Sequence, residues 1–146
     1  MTAPENAALR QLAAQVLVRR AGPGADAVAL VAAARVASAE LAGVLAPLIG
    51  YIGIDALAAR ARHLVQQEYP WLAETRDPEP PEALISHISG SLEQQDPAAA
   101  TEAAAAVLAT FTGLLIKLIG EPLAASLLRQ AWPDGFSDAR AEETGA

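Results

Sequence analysis

His63 and His87 are the two histidines of this 146-residue chain, and there is no cysteine. A metal site needs imidazoles, thiolates or carboxylates brought onto one face, as His-x-x-x-His does on a helix. Neither histidine belongs to such a pair, so no metal and no cofactor is expected. Among the acids, Glu74, Asp77, Glu79 and Glu82 cluster, but beside Pro78, Pro80 and Pro81. A proline-rich segment keeps carboxylates solvated, whereas general acid catalysis needs a carboxyl in an apolar site. Glu40, Asp55, Glu102 and Glu121 border apolar stretches. Asp55 and Glu121 suit helix starts, where the dipole favours negative charge. There is no Gly-x-Ser-x-Gly elbow and no Gly-x-x-x-x-Gly-Lys loop, so neither a serine nucleophile nor a phosphate cradle is expected. These absences lead to the expectation of a non-enzymatic protein without catalytic residues.

His87 lies in Ile85-Ser86-His87-Ile88-Ser89-Gly90-Ser91. A histidine on an amphipathic helix followed by small residues resembles a histidine phosphotransfer domain. The resemblance implies that a response regulator approaches the imidazole over the small residues. The family's basic residue near the histidine is missing, since no Lys or Arg occurs between Arg76 and Lys117. A phosphoryl group on His87 would lack a local charge partner.

Composition narrows the classes further. Thirty-six alanines, 53% hydrophobic and 4% aromatic residues describe a helix-forming globular chain. The net charge of −7 leaves no basic surplus for phosphates, so nucleic acid is not an expected partner. The first residues, Met-Thr-Ala-Pro-Glu-Asn, do not read as a targeting signal. Two charge-free runs, Leu41–Ile54 and Ala103–Ile116, fall short of the roughly 18 residues a spanning helix needs. They read as buried core helices, so the expectation is a cytoplasmic location and not a membrane one.

The elements follow from periodicity and breakers. A first helix is expected over about 4–20, with Leu9, Leu12, Val16 and Leu17 on one face. Gly22-Pro23-Gly24 breaks the chain before a long helix over about 25–51, which contains Pro47. Helices over about 54–68 and 81–95 flank the acidic, proline-rich linker 74–82. Asp96-Pro97 is a strong start for a helix over 97–119, and a sixth runs from Gly120 to about Ala131. Residues 137–146 form a polar, acidic tail expected to be flexible.

The two halves align at an offset of 67 residues, where Leu48-Ile49-x-x-Ile52-Gly53 falls on Leu115-Ile116-x-x-Ile119-Gly120. Over 36–64 this alignment gives 10 identities in 29 positions, four of them Ala on Ala. The expected fold is therefore all-α, about six helices in two pseudo-repeated three-helix units, 4–72 and 81–136. The units pack as one helical bundle domain spanning 1–136.

Most aromatics sit where each unit ends: Tyr69 and Trp71 in the first, Trp132 and Phe136 in the second. Arg60 and Arg62 add positive charge to the first unit. The four aromatics read either as core plugs or as anchors for a partner; because aromatics and Arg dominate binding hot spots, these six residues are the expected partner-binding set. The leading expectation is a protein–protein interaction module, adaptor or regulatory, whose partner is another protein or a second copy. A helical carrier holding an apolar small molecule between the long helices is the alternative, and phosphotransfer through His87 is a third reading.

Overall fold

The computed structural model describes residues 3–72 and 88–133 and is all-helical, with no strand among them. Its helices are α1 (Ala3–Ala21), α2 (Ala27–Glu68), α3 (Ser89–Glu93), α4 (Pro97–Ile119) and α5 (Glu121–Ala131). The linker 74–82, His87, Phe136 and the tail 137–146 lie outside the described residues.

Among the described residues there are five helices, where about six were expected of the chain; the expected second and third run on as α2 without a loop. Instead α2 is broken at Gly50, whose φ of 74° and ψ of 163° are non-helical. Gly120 separates α4 from α5 with nearly the same conformation, φ 92° and ψ 153°. Residues with a side chain essentially never adopt this region. A Cβ at either glycine would meet nothing within 4 Å, so the constraint is the backbone and not a neighbour. Pro47 lies inside α2, in the turn that precedes the break.

The two long apolar helices also begin alike. Asp26 Oδ1 accepts the Ala29 N–H at 2.9 Å, and Asp96 Oδ1 accepts the Ala99 N–H at 2.7 Å. Each cap satisfies one orphan donor of the first turn. Asp26 and Asp96 are 70 residues apart, as are Gly50 and Gly120. The sequence offset of 67 placed Gly53 opposite Gly120, but Gly53 continues the helix and Gly50 carries the break.

The core is alanine-rich and centred on α4. Ala103 through Ala109 are all buried, as are Phe111, Thr112 and Leu115. Small side chains on α4 let α1 and α2 approach its backbone closely. Val16 and Leu17 of α1, Leu41 and Leu45 of α2, and Leu128 of α5 join the same cluster. The buried Thr112 hydroxyl donates to the Leu108 carbonyl at 2.9 Å, which removes the cost of burying it.

Two long-range hydrogen bonds set how the segments lie. The Tyr69 hydroxyl donates to Glu102 Oε1 at 3.0 Å, fixing the end of α2 beside the start of α4. The Trp132 indole Nε1 donates to the Ala37 carbonyl at 3.0 Å, fixing the end of α5 beside the middle of the first segment of α2. At 1.5 Å rise per residue, Gly50 is about as far from Tyr69 as Gly120 is from Glu102. Gly120 and Gly50 are likewise about equally far from the second tie. Packed lengthwise on one core, both joints come to the same end of the bundle. The Asp26 and Asp96 caps lie at the other end.

Both α2 and α4 are long and apolar enough to cross a membrane, unlike the shorter charge-free runs within them. The most apolar stretch of α4 is 61% buried inside the fold and that of α2 only 28%.

Candidate functional site

Among the described residues, two places on the surface stand out. The first is the joint end. Leu48, Tyr51 and Ile52 are exposed around Gly50, and Leu118 and Leu123 around Gly120. Ile52 is 88% exposed, the largest value among the exposed large apolar residues. The cause is local. Residues 48–54 read Leu-Ile-Gly-Tyr-Ile-Gly-Ile, and a helix turns only part of its circumference to a core. Ile49 and Ile54 face inward, which leaves Leu48, Tyr51 and Ile52 outside. The neighbouring charged residues, Asp55, Lys117 and Glu121, are exposed and lie at its edge in sequence.

The second place is a cleft of about 580 Å³ at the opposite end, between α1, the start of α2 and the start of α4. Ala14, Val18, Leu30 and Ala105 line its apolar part, and Arg10, Gln11, Thr101 and Glu102 its polar part. Arg10 grips Glu68 with two hydrogen bonds, Nη1 to Oε1 at 3.0 Å and Nη2 to Oε2 at 2.6 Å. The hydrogen bonds from Arg10 hold the Glu68 carboxyl below its ordinary pKa, and the same pair raises Arg10. Both side chains keep substantial exposure, so the pair orients more than it stabilises.

Burial, reinforced by the Glu102 carboxylate, pushes the Tyr69 hydroxyl up to about 12 from an ordinary value of 10. The chain has two tyrosines, so an alkaline near-ultraviolet titration of Tyr51→Phe reads Tyr69 alone. We expect a midpoint of about 12 while helicity persists. A raised folded pKa means that the stability linked to this proton is complete below 10 and is lost as pH climbs towards 12. A midpoint at the ordinary value would show that the hydroxyl is neither buried nor bonded to Glu102.

Of the expected partner-binding residues that are described, the structure shows Tyr69 and Trp71 in ring contact and buries Arg62 and Trp132. Tyr69 and Trp71 are half-buried and pack edge to face, with ring centroids 5.9 Å apart at 72°. Arg60 is exposed, but Arg62 is 7% exposed and belongs to the interior. Trp132 is 1% exposed and plugs the core, so its indole has no surface to offer a partner. Phe136 and His87 lie outside the described residues. His63 is exposed on α2. No group of three or more metal-ligating residues occurs among the described residues.

The sequence reading missed the joint end as a surface, although its signal is plain in hindsight: seven consecutive residues without charge cannot all face one core. It also missed the cleft, whose polar wall is assembled from residues far apart in the chain. Comparison with family models, curated proteins and solved structures returned no match, so these two places are read from their own residues alone.

Proposed function

We propose that the chain is a non-enzymatic, protein-binding helical module whose interface is the joint end of the bundle. The observation that carries this reading is the exposure of Leu48, Tyr51, Ile52, Leu118 and Leu123 around the two glycine joints. Apolar surface of this kind, gathered in one place, marks interaction sites on soluble domains. The partner is another protein, and a second copy of this chain meets the requirement through a like-to-like apolar contact.

We further propose that the two helix–joint–helix segments are copies of one unit. The 70-residue register supports this, because it superposes both Asp caps and both glycine joints. The same register pairs Gly43 with Gly113, Leu45 with Leu115, Leu48 with Leu118, Ile49 with Ile119 and Leu57 with Leu127. On this reading the interface is quasi-symmetric, with Leu48 and Leu118 in equivalent exposed places.

Light scattering over a micromolar concentration series is the test. We expect the wild type to form dimers or larger species, and Ile52→Glu to shift the equilibrium to monomer by at least about tenfold in Kd, about 1.4 kcal/mol. Circular dichroism of the variant should be unchanged, because Ile52 is exposed. A monomeric wild type throughout the series would remove the second copy as partner, and unaltered association of the variant would move the interface elsewhere.

A further inference from the structure

We infer that the cleft between α1 and the starts of α2 and α4 is a binding site for a cationic amphiphile, a protonated primary amine on an apolar tail. Its volume of about 580 Å³ lies within the range of small-molecule sites. Leu30 and Ala105 are buried at its base, and Ala14 and Val18 extend the apolar wall. That lining suits a hydrocarbon chain.

The polar rim decides the sign of the head group. Arg10 already spends its two terminal nitrogens on Glu68. The Thr101 hydroxyl is turned back onto the Pro97 carbonyl at 2.7 Å. Glu102 receives one hydrogen bond, from the neutral Tyr69 hydroxyl, and no cation within ion-pair distance among the described residues. Arg10 and Glu102 are the charged residues that line the cleft, and the Arg10 charge is already offset by Glu68 outside the lining, so the uncompensated carboxylate at the mouth is Glu102. A bound anion would face the Glu102 carboxylate, whereas an ammonium group would complete the charge balance. The Asp26 and Asp96 carboxylates cap the nearby helix starts and offset the positive ends of those two helix dipoles.

Three probes of equal tail length separate the possibilities: octylammonium, octanol and octanoate, each titrated calorimetrically below its aggregation concentration. We expect octylammonium to bind about tenfold or more tighter than the other two. Glu102→Gln, a substitution of an exposed side chain, should erase that preference and leave the octanol affinity within about twofold. Ala98→Trp, at an exposed lining position, should weaken all three probes by occluding the cleft. Ile52→Glu, at the far end of the bundle, should leave all three affinities as they are. Equal or tighter octanoate binding, an undiminished preference in Glu102→Gln, or no octylammonium binding at all would overturn the assignment. Loss of binding in Ile52→Glu with retention in Ala98→Trp would do the same, by placing the amphiphile on the joint end.

Discussion

Trp132→Ala should cost about 3–5 kcal/mol, the range for removing a large aromatic from a packed core. Trp132 is 1% exposed and is the largest of the fully buried side chains. It follows α5 directly, so its loss opens a cavity where α5 closes on the first segment of α2. The Nε1–H bond to the Ala37 carbonyl disappears with it. For a domain of this size, the loss corresponds to a fall in melting temperature on the order of 10 °C. It is a large share of the ~5–15 kcal/mol that holds a typical domain folded. Trp132→Phe should recover part of the packing but not the hydrogen bond, and should fall between the two. Chemical denaturation followed by circular dichroism measures both. A cost below about 1 kcal/mol for the alanine variant would mean that α5 is not closed by this side chain.

The paired leucines give the second large effect. Leu45 and Leu115 are both 0% exposed, and each lies five residues before its glycine joint. Truncating a fully buried leucine to alanine costs about 2–5 kcal/mol, with the spread set by how far the site collapses. If the two segments are copies in the 70-residue register, the two sites are surrounded alike. Leu45→Ala and Leu115→Ala should then differ by no more than about 1 kcal/mol, each well above 2 kcal/mol. A near-neutral result at one site beside a large one at the other would set the two segments apart energetically and leave their likeness to composition.

How far the chain could be read in advance depends on the range of the forces involved. Asp96-Pro97 and Gly120-Glu121-Pro122 gave correct boundaries for α4, because caps and breakers act within one turn. Gly53 was mistaken for Gly50 because both are glycines in one apolar run, and only the folded backbone shows which one takes positive φ. Trp132 looked like a surface anchor because it follows a helix and precedes Pro133. Whether an indole at a helix end turns inward depends on the groove that another segment offers, here α2 at Ala37. The cleft was out of reach for the same reason. Arg10 and Glu68 are 58 residues apart and Tyr69 and Glu102 33, and no local spacing relates them.

The joint-end interface is most directly tested by amide chemical shifts of the wild type at low and high concentration, residue by residue. The account predicts concentration-dependent shifts and broadening confined to residues 47–53 and 117–124, around Gly50 and Gly120. Amides near Asp26, Asp96 and Tyr69, at the opposite end, should not move. Changes centred on the cleft end, with the joints silent, would contradict it.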